Sequence, residues 1–130
     1  MITGAVNANR EAVIRLVVGS SSGNEQQVDA VVDTGFDGWF SLPPEVISEL
    51  GLPWRRRGRA LLADGSESVF DIYEGMVEWD GSPRRIVVDE ASTAPLVGMA
   101  LLQGFELRIE VLNGGSVTIK ALPSLRPQAS

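Results

Sequence analysis

Short runs of alternating or β-branched apolar residues recur along the chain, and turn-forming residues separate them. Residues 12–18, Ala-Val-Ile-Arg-Leu-Val-Val, predict a strand, and the Gly-Ser-Ser-Ser-Gly-Asn run at 19–24 predicts a loop. Residues 27–32 then return as a second strand, so the two form a hairpin. The period changes at 43–51, where Val46, Ile47 and Leu50 fall at helical spacing. Proline occupies the first turn of this helix, Glu45 faces the positive end of its dipole, and Gly51 is placed to cap it. Pro53 prevents it from continuing.

Beyond the helix the strand pattern resumes. Asp64-Gly65 lies between the apolar runs 60–63 and 68–73, a strong hairpin signal, and the second arm runs on through Gly75 to Trp79. Asp80-Gly81 marks a turn before a strand at 84–88, and Asn113-Gly114-Gly115 joins strands at 107–112 and 117–122. Residues 123–130 form a polar tail. The pattern is mainly β with one or two short helices and contains no internal repeat. At 130 residues the chain supports one core, read as a single domain over 1–130.

Composition narrows the chemistry. Hydrophobic residues make up 44% and charged residues 22%, the balance of a globular chain. The 17 acidic against 11 basic side chains give a net charge of −6, which argues against a nucleic-acid partner. Cys and His are both absent, so disulfides, thiolate or imidazole zinc sites, and Ser-His-Asp or Cys-His catalysis are excluded. Proton transfer is left to carboxylates, one Tyr, one Lys, or a metal held by oxygen. Lys120 sits in a predicted strand, a poor setting for a Ser-Lys dyad, and residues 64–67 lack the alternating ligands of a calcium loop. No metal or other cofactor is expected. The first ten residues lack the basic start and apolar run of a secretory signal, and no apolar stretch approaches the ~20 residues of a membrane span. The default compartment is cytoplasmic, with no membrane partner.

Candidate chemistry concentrates in Val31-Val32-Asp33-Thr34-Gly35-Phe36-Asp37-Gly38. A hydrophobic strand here delivers a carboxylate at its end, then a hydroxyl, then a Gly that admits a close backbone approach. Alone, Asp33-Thr34-Gly35 equally fits a plain strand-to-turn boundary. A second stretch, 94–105, carries an apolar strand into a Gly and then a short apolar helix.

Together these stretches resemble the retropepsin-like (clan AA) aspartic proteases, in their bacterial single-domain form. The matching residues are Asp33-Thr34-Gly35, Leu42-Pro43, and Leu96-Val97-Gly98 followed by Leu101-Leu102, with the Asp64-Gly65 hairpin between them. The resemblance covers about 10–122 and implies the acid-protease fold, a closed β-barrel half. It further implies that one chain is half an enzyme. Two chains would pair about a two-fold axis as a homodimer, bringing two Asp33 carboxylates together to share one proton and activate water for peptide-bond hydrolysis. Thr34 would hydrogen-bond across the axis, and Gly35 would admit the partner loop and the substrate backbone. Asp37, Ala63, Asp64, Gly65 and Ser66 would contact a peptide or protein substrate, the last four as a flap, with main-chain pairing in the manner of an added strand. Leu96, Val97 and Gly98 form the second motif.

The chain also departs from the retroviral pattern. Met99 stands where an Arg would pair with an Asp at the position of Asp37, so Asp37 reads as a substrate contact or as a solvated turn residue. The Asp33-to-flap interval is longer and holds Arg55, Arg56, Arg57 and Arg59, which read as charge guarding an edge strand or as a site for an anionic partner. Trp39, Phe40, Trp54 and Trp79 fit specificity pockets or core packing. The alternative function on the same fold is a non-catalytic dimerisation or peptide-binding module.

Overall fold

A computed structural model describes residues 1–123; the rest of the expected tail at 123–130 lies outside the described residues. Among those residues the strands are β1 (Ile2–Val6), β2 (Ala12–Gly19), β3 (Glu25–Val32), β4 (Phe40–Leu42), β5 (Trp54–Leu61), β6 (Glu67–Trp79), β7 (Ser82–Glu90), β8 (Leu96–Val97), β9 (Phe105–Ile109) and β10 (Ser116–Ala121). Two short helices, α1 (Pro44–Leu50) and α2 (Met99–Leu102), complete the set.

β2 shows how the pattern becomes a barrel. Ala12, Ile14, Leu16 and Val18 alternate into the core, while Arg15 points outward and pairs with Asp29 of β3 at 3.0 Å. The strand changes partners along its length. Its first residues pair with β1 (Gly4↔Ile14), most of it pairs antiparallel with β3, and its end meets β6 through Val18↔Val77. That last pairing closes a ring of six strands, β2-β3-β8-β4-β7-β6. A closed ring leaves no free edge among its members. The sheet continues outside it as β1-β10-β9 on one side and β5 on the other.

Two parallel pairings position the site. β8 lies between β3 and β4, parallel to β3 (Val31↔Leu96) and antiparallel to β4 (Phe40↔Val97), while β4 runs parallel to β7 (Ser41↔Asp89). Phe40, Val88 and Val97 share one row facing the core, each fully buried. Burying such a side chain is worth roughly 1.5–3 kcal/mol. The next row, Asp89, Ser41 and Leu96, faces the opposite way.

α1 forms as expected: Pro43 and Pro44 start it, Ile47 and Leu50 are buried, and Gly51 ends it in the left-handed region at φ 65°. β5 is an edge strand, exposed along almost its whole length, so the arginine run lies on an edge. Arg55, Arg57 and Arg59 reach across to Glu74, Asp71 and Glu67 of β6. Phe40 and Trp79 are core residues, Trp39 packs under the Arg84 guanidinium, and Trp54 is exposed. Two expectations are corrected here, the first being the hairpin arm at 60–63: β5 runs from Trp54 and ends at Leu61, so Leu62 and Ala63 belong to the turn. The strand expected at 107–112 stops at Ile109, because Gly115 brings the turn's backbone so close to the Glu110 carbonyl that a Cβ would lie 1.9 Å from its oxygen. β8 and α2 form where an apolar strand, a Gly and a short helix were expected, while β1 and β4 lie outside the expected elements. No helix among the described residues is long and apolar enough to cross a membrane.

Candidate active site

Asp33 stands one residue beyond β3, half-buried. Its backbone N–H continues the parallel ladder to the Val97 carbonyl at 2.9 Å, which fixes the residue at the end of β8. Its carboxylate Oδ1 accepts the Gly35 N–H at 2.9 Å, and its carbonyl accepts the Phe36 N–H at 3.2 Å. The residue is therefore both turn-former and presented carboxylate. Thr34 and Asp37 are exposed on the same loop.

The two sequence motifs are tied to each other by backbone. Gly98 donates to the Trp39 carbonyl at 3.0 Å, Met99 to that of Phe36 at 2.8 Å, and Ala100 to that of Gly38 at 3.1 Å. Val97 is buried beneath this junction and Leu96 faces the cleft. Gly98 is the first residue before α2 and packs against the Gly38 backbone and the Phe36 ring.

A cleft of about 1020 Å³ opens beside Asp33. Gly35, Asp37 and Leu96 border it, and its far wall is the β5–β6 hairpin, through Arg59, Ala60, Leu61, Ser68 and Phe70. The hairpin turn at 62–66 is closed by Leu62 and Ser66 backbone pairing, with Gly65 at φ 87°. Asp64 caps the turn by accepting the Ser66 N–H at 2.9 Å and the Ser66 hydroxyl. The Ser66 hydroxyl, and then its N–H, hold the Asp64 carboxyl below its ordinary range. Ala63, Asp64, Gly65 and Ser66 thus stand at the end of the hairpin and do not line the cleft; the arms do. Thr34 opens instead onto a neighbouring groove of about 510 Å³, shared with Asp37, Met99 and Phe105.

Several cleft residues carry no motif and escaped the sequence reading, Ser41, Asp89 and Glu90 among them. Burial pushes the Asp89 carboxyl above its ordinary range; the Arg56 charge opposes this rise and the Asp37 charge adds to it. Glu90 accepts the Tyr73 hydroxyl at 3.4 Å. Ser41 is 3% exposed and its Oγ has no hydrogen-bond partner among the described residues. The only usable signal was period: Phe40 and Leu42 as core residues put Ser41 on the other face. No group of three His, Cys, Asp or Glu among the described residues is placed to hold a metal ion.

No protein-family model matches the chain, and no curated protein sequence matches it. Solved structures do. The crystal structure of a retropepsin-like aspartic protease from Rickettsia conorii is 22% identical, with a TM-score of 0.60 over 93% of this chain and 90% of that one. The EIAV protease complexed with the inhibitor HBY-793 is 16% identical, with a TM-score of 0.52 over 75% of this chain and 89% of that one. The closed six-stranded barrel with two short helices is the retropepsin-like fold.

Proposed function

We propose that the chain is one subunit of an aspartic endopeptidase, active as a homodimer in which two Asp33 carboxylates hydrolyse a peptide bond. The observation that carries this reading is the setting of Asp33: a half-buried carboxylate, oriented by the Gly35 N–H, that borders a cleft walled on its far side by the β5–β6 hairpin. The fold it shares with two aspartic proteases supports the reading.

A single carboxylate cannot serve as both base and acid in one step, and each chain offers one Asp33. A second copy supplies the other. Two carboxylates in contact share a proton, since both cannot ionise easily. The ionised member takes a proton from water as the water oxygen bonds to the scissile carbonyl carbon, and the protonated member gives its proton to the carbonyl oxygen. Collapse of the resulting diol breaks the C–N bond, with a proton passing to the departing amine. Exposed Thr34, exposed Met99 and the groove beside them suit contact with that second copy. The substrate is an extended peptide lying between the Asp33 loop and the hairpin arms. Digestion of a peptide library by the parent and by Asp33→Asn, side by side, tests the assignment. Cleavage that is lost in the variant supports it; equal cleavage by both removes Asp33 from the chemistry. No cleavage by either, from an intact dimer, favours a peptide-binding module.

A further inference from the structure

We infer that the cleft selects a peptide bearing a cationic side chain, seated against Asp89 and Ser41 a short way from Asp33; the inference rests on the peptide-cleft reading above. Asp89 and Ser41 are register partners on the parallel strands β7 and β4, so their side chains leave the same face of the sheet. Leu96 continues that row on β8 and supplies an apolar flank. Phe40 and Leu42, on either side of Ser41, are fully buried in the core, which sends Ser41 toward the cleft it borders.

Both polar groups are unspent. A nine-tenths-buried hydroxyl without a partner is costly, because its desolvation is not repaid by a hydrogen bond. Asp89 forms no ion pair among the described residues, although Arg56 acts on it at longer range. Acids outnumber cations around them. Asp33, Asp37, Asp89 and Glu90 border the cleft against a single Arg59, which already faces Glu67 at 3.7 Å. The row of Asp89, Ser41 and Leu96, two polar groups beside an apolar flank, suits an extended side-chain cation. A guanidinium or ammonium meets each requirement. Its N–H groups donate to the Asp89 carboxylate and the Ser41 oxygen together, its charge offsets the acids, and its methylenes lie along Leu96.

The test separates this inference from the chemistry of Asp33. An octapeptide carrying one Arg, walked through each position, is titrated calorimetrically into the Asp33→Asn protein, which binds without cleaving. Each peptide is matched by one with citrulline, the neutral isostere. At one position Arg should bind about tenfold to a hundredfold more tightly than citrulline, the range of a charge-assisted hydrogen bond. The preference should collapse when Asp89→Asn is added and shrink with Ser41→Ala. Equal binding of the pair at every position, no measurable binding of either, or a preference that survives Asp89→Asn overturns the inference. If the parent binds the Arg peptide selectively but never cleaves it, the peptidase reading falls and the cationic pocket stands.

Discussion

The Cβ that Gly98 lacks would lie 2.1 Å from the carbonyl oxygen of Gly38. The obstacle is backbone, and Gly38 is itself held by the Ala100 N–H, so it cannot retreat without breaking the tie between the two motifs. The conformation of Gly98 (φ −101°, ψ 175°) is open to any residue, which makes its requirement purely steric. Gly98→Ala should therefore cost about 3 kcal/mol, the upper end of overpacking penalties, and lower the melting temperature by about 10 °C. Thermal and denaturant unfolding of the variant measure this. A loss near zero would mean that the Asp33 loop is not braced by the second motif.

Local signals were legible in the sequence, and long-range pairings were not. Pro44 and Gly51 bracket α1, and Asp64-Gly65 makes its own turn, because each acts through its own backbone geometry. Asp33-Thr34-Gly35 drew attention through order and spacing. By contrast β4 is three residues long and is held by β7 on one side and β8 on the other. Asp89 and Ser41 become neighbours through that same pairing, so neither shows any local mark. β1 escaped for a similar reason: it is held by β2 and β10, and its own residues are a mix of Gly, Thr and small apolar side chains.

The β5–β6 hairpin should open cheaply. Its arms bury little, and Leu61, Leu62 and Val69 are largely exposed. Its cross-strand ion pairs are exposed too, each worth roughly 0–1 kcal/mol. Amide hydrogens at 58–68 should exchange well before those of β2 or β3 in native-state hydrogen exchange. Protection equal to the barrel's would rule out the hairpin as a lid. Gly65→Ala forces a Cβ onto φ 87° with nothing nearby to clash, so it should cost only about 1–2 kcal/mol.

Asp89 gives the fold a pH dependence with a defined sign. Burial raises its folded-state pKa above the ordinary carboxylate value. Below that ordinary value Asp89 is protonated whether the chain is folded or not, and its stabilising contribution is fully present. As pH rises through the ordinary value and then the raised one, that contribution is lost, since the fold must hold a desolvated charge. Asp89→Asn should therefore stabilise the protein at pH 7 and leave it unchanged near pH 3. Denaturant midpoints at the two values decide it; a variant less stable at pH 7 would show that Asp89 is already compensated in the free protein.

The strongest demand falls on Asp33 and the second copy. If the site is completed by a two-fold mate, the parent should sediment as a dimer at tens of micromolar, with an interface burying more than roughly 1,200 Å² in total. Asp33→Asn leaves the Gly35 N–H an oxygen acceptor, so the loop keeps its turn and the fold should persist. The dimer should hold or tighten, because two like charges near the axis disappear. Cleavage should fall by several orders of magnitude, since the base and the shared proton are lost together. Sedimentation and peptide digestion on the same preparations separate the outcomes. A monomer with activity intact would reject the paired-carboxylate mechanism, and a monomer without activity would leave Asp33 as a turn residue at the end of a strand.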